Sequence, residues 1–94
     1  MTLDIPISQI GNPTVFFSRL GYHHEPNGSF AKRVSGMPFP RYHLYFEVGT
    51  DMVRVNLHLD AKKPSYQGTS AHAGEYDGEV VEMELTRIKQ YAGV

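Results

Sequence analysis

Two runs between Arg41 and Asp60 alternate between apolar and polar positions, and they carry the firmest structural signal in the chain. Tyr42, Leu44, Phe46 and Val48 share one side of the first run; Val53, Val55, Leu57 and Leu59 share one side of the second. Period-two alternation marks a half-buried strand, and Gly49-Thr50-Asp51 supplies turn residues between the runs. Both apolar sets fall on one face only when Val48 stands opposite Val53, Phe46 opposite Val55, Leu44 opposite Leu57 and Tyr42 opposite Leu59. The other face then pairs Glu47 with Arg54, Tyr45 with Asn56, His43 with His58 and Arg41 with Asp60. Two of these pairs set opposite charges directly across the strands, each worth about 0.2–1 kcal/mol. The polar face thus supports the register that the apolar face demands.

Around this hairpin, Gly and Pro punctuate the chain. Asn12, Pro13 and Gly21 bracket residues 14–20 as an N-cap, a first-turn proline and a terminating glycine bracket a short helix. Val15, Phe16 and Phe17 would also suit a strand. Residues 22–34 predict a second hairpin, with Asn27-Gly28 as a type I′ turn. Its alternation is poor, so its register is weakly specified. At the C-terminal end, Val81, Leu85, Ile88 and Ala92 form one helical stripe ahead of Gly93. Glu79, Glu82 and Glu84 come early and Arg87 and Lys89 late, as the helix dipole favours. The predicted helix lays Val81, Leu85 and Ile88 on the hairpin and leaves Glu82, Glu84 and Lys89 in water. Alternation over residues 81–86 also suits a strand, but the helical period extends further. The expected fold class is α+β: a small antiparallel β-meander of about four strands, a short N-terminal helix and a C-terminal amphipathic helix packed on one face.

Length and composition narrow the class. Residues 1–94 form a single expected domain, since 94 residues leave no room for a second core. With 40% hydrophobic residues, 5 Phe and 6 Tyr, the chain is too apolar for disorder. It has no cysteine, which excludes disulfides, thiolate metal ligands and thiol catalysis. A net charge of −1 gives no drive toward nucleic acid. The N-terminal residues lack a basic segment followed by an apolar run, and no stretch approaches the roughly 18–20 apolar residues of a membrane span. A cytoplasmic address and no membrane association are expected.

The stretches LHLDAKKPSYQG (57–68) and AHAGEYDGEVVE (71–82) together resemble a segment recurring in a group of small uncharacterised bacterial proteins. That resemblance covers about a quarter of the chain and implies no activity, ligand or partner.

Candidate chemistry centres on five histidines. The hairpin register brings His43 and His58 face to face, with Asp60 two residues along on the same side. Imidazoles with a carboxylate suit Zn²⁺, and His72 with Glu75, in the polar segment 61–78, can add a third or fourth ligand. A solvated face with no ligand is the competing reading, as is an acid–base role. Asp60-Ala61-Lys62 has the D-x-K form of metal-dependent nucleases, but the residue facing Asp60 is Arg41, which would neutralise it. His23 and His24 are adjacent and so point to opposite faces. The polar segment is too long for a mere connection; it is expected to fold back over the polar face, anchored by Tyr66, His72 and Tyr76. No nucleophile motif or phosphate-binding glycine loop is present. The sequence favours a non-enzymatic interaction module that binds a protein partner or a second copy through an open sheet edge. The alternatives are a metal-binding domain using His43, His58, Asp60 and His72, and a small metal-dependent hydrolase adding Lys62. No catalytic residue is nominated, and enzymatic activity stays open. The register places Leu57 in the core, so Leu57→Ala should lower unfolding free energy by about 2–5 kcal/mol in urea denaturation. Wild-type stability in that variant would refute the register.

Overall fold

A computed structural model describes residues 1–61, the backbone of 75–76, and residues 78–94. In chain order its elements are β1 (Thr2–Pro6), α1 (Ile7–Ile10), α2 (Pro13–Arg19), β2 (His23–His24), β3 (Phe30–Arg33), β4 (Arg41–Val48), β5 (Met52–Asp60), β6 (Glu75–Tyr76) and α3 (Glu79–Ala92). The strands build one antiparallel sheet in the order β1-β5-β4-β3-β2, and β6 also pairs with β5. The architecture is α+β as expected, and β2 to β5 are the four-stranded meander. The added strand β1 was not assigned from the sequence.

The β4–β5 register is the predicted one at all eight positions, from Arg41 opposite Asp60 to Val48 opposite Val53. Leu44, Val53, Val55 and Leu57 are completely buried. Phe46 is half-buried and packs against this core, while Val48, beside the turn, is exposed. Strand β1 extends the same parity: Leu3 and Ile5 face Val55 and Val53, and Thr2 and Asp4 lie on the polar side. This alters one expected ion pair. Glu47 does face Arg54, but the Arg54 guanidinium instead hydrogen-bonds both carboxylate oxygens of Asp4, at 2.9 and 3.3 Å. Asp4, brought alongside by β1, offers the two-pronged geometry that guanidinium groups prefer.

Two helices share the apolar face. In α2 the Asn12 side chain accepts from the Val15 amide and Pro13 opens the helix, as predicted. Its Phe17 is completely buried, stacked on Phe46 at 5.6 Å and close to Phe30, so α2 covers β3 and β4. Helix α3 covers β5 and β1 instead of lying over the whole hairpin. It ends where expected: Gly93 is left-handed at φ 77°, its amide donates to Gln90 O, and the Val94 amide donates to Lys89 O. Those two bonds form a Schellman closure.

The turn between β2 and β3 corrects another expectation. Among the described residues no non-glycine residue, Asn27 included, has positive φ, so Asn27 cannot occupy a type I′ corner. The Gly28 amide donates to Glu25 O, the Glu25 amide donates to Ser29 O, and Gly28 alone is left-handed at φ 90°. The connection is therefore the three-residue loop Pro26-Asn27-Gly28, a turn closed by a glycine bulge. Pro26 explains the choice: in a two-residue turn it would end a strand, where it has no N–H to pair.

Glu84 is the largest departure. Expected in water, it is only 5% exposed. It lies between Val81 and Ile88 on the buried stripe, and its charge is answered there. Tyr22 donates to its carboxylate at 2.6 Å, and Arg87 donates twice, at 2.7 and 2.8 Å. Arg87 also donates to Leu20 O at 3.1 Å, tying α3 to the end of α2. Burial works to raise the Glu84 carboxyl, but the hydrogen bonds from Arg87 and Tyr22 outweigh it and hold the group below the usual glutamate range. Burial first, and then the Glu84 charge, push the Tyr22 phenol far up, so it stays a donor. A depressed carboxyl stabilises the fold above the unfolded glutamate value, and that contribution is lost as pH falls through the folded value. Glu84→Gln should therefore cost about 1.5–3 kcal/mol at neutral pH, and the gap from wild type should close in acid. A gap that denaturation curves show to be constant between neutral pH and pH 3 would contradict this.

Candidate functional site

The face opposite the helices carries Arg41, His43 and Tyr45 from β4 and Asn56, His58 and Asp60 from β5. Because side chains alternate along each strand, the register that buries Leu44 and Leu57 also stacks His43 against His58 and sets Asp60 beside them. His58 Nε2 lies 3.3 Å from His43 Nδ1, and Asp60 Oδ2 lies 3.8 Å from the same nitrogen. One ligand atom from each of the three residues lies within 4.8 Å of the other two. The Tyr45 hydroxyl is 3.4 Å from His58 Nε2.

Strand β3 supplies a support that the sequence did not reveal. Ala31 faces His43, and Ser29, two residues earlier, points to the same side. Ser29 Oγ lies 2.9 Å from His43 Nε2 and 2.6 Å from Asn27 Oδ1. The Ser29 amide also donates to Asn27 Oδ1, at 3.0 Å, which fixes that atom as the amide oxygen. An oxygen acceptor there takes the single hydroxyl proton of Ser29, so Ser29 Oγ accepts from His43 Nε2–H. In the neutral ring Nδ1 then carries the lone pair, and that lone pair faces His58 and Asp60.

Asp60 is buried, at 5% exposure, and among the described residues its Oδ1 has no hydrogen-bond partner. The expected Arg41–Asp60 pair exists but is long, with Nε to Oδ2 at 3.5 Å. Arg41 is held more closely by Glu25, at 2.9 Å, and its guanidinium stands over Phe39 at 5.0 Å. One arginine thus serves two carboxylates. Taken together, Arg41, Glu25 and Asp60 carry a charge of −1 beside the two imidazoles, a field that favours a cation.

Of the predicted ligands, His43, His58 and Asp60 come together, whereas His72 lies outside the described residues, as do Lys62 and Tyr66. The chain returns at β6 in the plane of the sheet, where Glu75 faces Asp60 and Tyr76 faces Leu59 along the edge of β5. His23 and His24 diverge as expected: His24 stacks on Phe30 at 4.7 Å and His23 faces Ala31. The roles of Ser29, Asn27 and Glu25 depend on the β2–β3 register, which the sequence specifies only weakly. Nitrogen-15 NMR should find neutral His43 protonated at Nε2, and Ser29→Ala should mix the two tautomers. A wild-type His43 protonated at Nδ1 would overturn the assignment.

Among the described residues no helix is long and apolar enough to cross a membrane. Compared with known proteins, the chain matches no family model, no curated protein and no solved structure.

Proposed function

We propose that His43, His58 and Asp60 bind a divalent transition-metal ion, zinc foremost, and that the chain acts as a metal-binding domain. The observation that carries this reading is the convergence of two imidazole nitrogens and a buried carboxylate on one small space. Donors about 2.0–2.2 Å from a tetrahedral zinc lie roughly 3.3–3.6 Å apart. The 3.3 Å between His58 Nε2 and His43 Nδ1 is such an edge, and 3.8 Å to Asp60 is close to one. The Nε2–H of His43 hydrogen-bonded to Ser29 matches the outer support that metal-bound histidines carry. The buried Asp60 Oδ1, without a hydrogen-bond partner among the described residues, has lone pairs to offer a cation.

Three protein ligands leave a fourth position for water or a ligand. His72 was the expected occupant, and the three-residue set stands without it. The interaction-module reading rests on an open sheet edge, at β1 or β2, and among the described residues neither edge carries a feature that selects a partner. The hydrolase reading adds Lys62 to the same set, and Lys62 lies outside the described residues. Titrating chelator-treated, untagged protein with ZnCl₂ in a calorimeter should give one equivalent of binding. His43→Ala and His58→Ala should each weaken it by at least about tenfold, while His24→Ala should not. Absence of saturable binding, or an unchanged affinity in His58→Ala, would reject the site.

A further inference from the structure

A second feature of the polar face adjoins the cluster. Between β2, β3 and β4 lies a cleft of about 250 Å³ lined by His23, Glu25, Arg33, Phe39 and Arg41, with Ala31 in its wall. The sheet register explains the hollow. Ala31 stands between His23 on β2 and His43 on β4, so a methyl group separates two imidazoles and leaves room above it.

Arg33 and Arg41 face each other directly across β3 and β4, on the same side of the sheet. Like charges so placed repel, and sheets ordinarily avoid the arrangement. Arg41 has its charge answered by Glu25 and Asp60. Arg33 is exposed, and among the described residues no carboxylate pairs with it. Lys32, whose ammonium stands 5.6 Å over the Tyr42 ring, also lines the cleft. That ammonium is turned toward Tyr42 and Glu84 on the helix face, so on the polar face Arg33 and Arg41 balance Glu25 and Asp60, and Arg33 is the guanidinium left without a carboxylate among the described residues.

We infer that the cleft is a binding site for a tetrahedral oxyanion of the phosphate class, whether inorganic phosphate or a phosphate monoester. The donors sit on three adjacent strands: His23 on β2, Arg33 on β3 and Arg41 on β4. Such a set surrounds an anion from several directions, which suits the many acceptor atoms of a phosphate better than the flat pair of a carboxylate. Guanidinium groups match phosphate geometry, and the Phe39 ring beneath Arg41 holds one of them in orientation. The anion would also relieve the repulsion between the arginines. This inference stands independently of the metal reading.

The test is a titration of orthophosphate into isotopically labelled, chelator-treated full chain, followed by amide NMR, with acetate as comparator and ionic strength held constant. Saturable shifts are expected at Ala31, Arg33 and Arg41, with a dissociation constant in the roughly millimolar range. Arg33→Gln should weaken binding by at least about tenfold. The exposed position lets that variant fold, and its melting temperature should not fall below that of wild type. Phosphate should raise the melting temperature of wild type more than that of the variant. Absence of saturation, equal affinity in Arg33→Gln, or acetate binding as tightly as phosphate would each overturn the proposal. Phenyl phosphate distinguishes the two sources: binding tighter than orthophosphate indicates an ester and weaker binding the free ion, and either supports the class.

Discussion

The pairing of β4 with β5 is the constraint on which everything else rests. Eight consecutive residue pairs set the parity of the sheet, and parity decides which side chains meet the helices and which meet solvent. A slip of one residue would turn Leu44 or Leu57 into water and part His43 from His58. Core and candidate site are thus two faces of one register. The helices bind one face only, so the polar face can vary in chemistry without disturbing the packing beneath it. Strand β1 then extends the sheet past β5, and its Asp4 and Arg54 pair lies on the face away from the helices.

What aligns the helices is a buried charge. Removing Glu84 from water is costly, and only the two bonds from Arg87 and the one from Tyr22 make the position tenable. Such a group adds less to stability than a well-packed leucine would, but it accepts few alternative arrangements. Arg87 reaches Leu20 O at the close of α2, and Tyr22 leads directly into His23. The clamp therefore joins both helices to the strand that forms one wall of the cleft. Glu84→Gln disturbs the same network that fixes where β2 begins.

Much of this was legible in the sequence where local pattern and tertiary demand agree. Period two, a glycine turn and complementary charges gave the 41–60 hairpin its register, and with it His43, His58 and Asp60. Caps and stripe gave α2 and α3. What was missed depends on partners distant in the chain. Leu3 and Ile5 do alternate with Thr2 and Asp4, but five residues ending in proline make a faint strand until β5 is known to lie alongside. Asn27-Gly28 by itself suggests a type I′ turn, and it is Pro26 just before it that excludes one. Glu84 was assigned to solvent by its charge, although its spacing from Val81 and Ile88 puts it on the buried stripe. Ser29 and Arg33 are surface residues by type; only the β3–β4 register reveals that one holds a histidine and the other opposes an arginine.

Arg41 stands between the two proposed sites, and charge alone gives their relation a sign. Its guanidinium is shared among Glu25, Asp60 and the cleft. A divalent cation held by Asp60 would compete with Arg41 for that carboxylate and leave more of the arginine's charge uncompensated, which favours an anion in the cleft. An anion beside Arg41 would in turn weaken its hold on Asp60 and make the carboxylate a better ligand. Linkage requires the two effects to be equal in free energy. The path is short, since Arg41 Nε lies 3.5 Å from Asp60 Oδ2, and at such separations a partly buried pair escapes most screening by salt. With both proposed sites in use, the long Arg41–Asp60 contact would serve each of them. A tight salt bridge would consume the carboxylate and the guanidinium together, whereas a loose one leaves each with capacity for a ligand of the opposite charge.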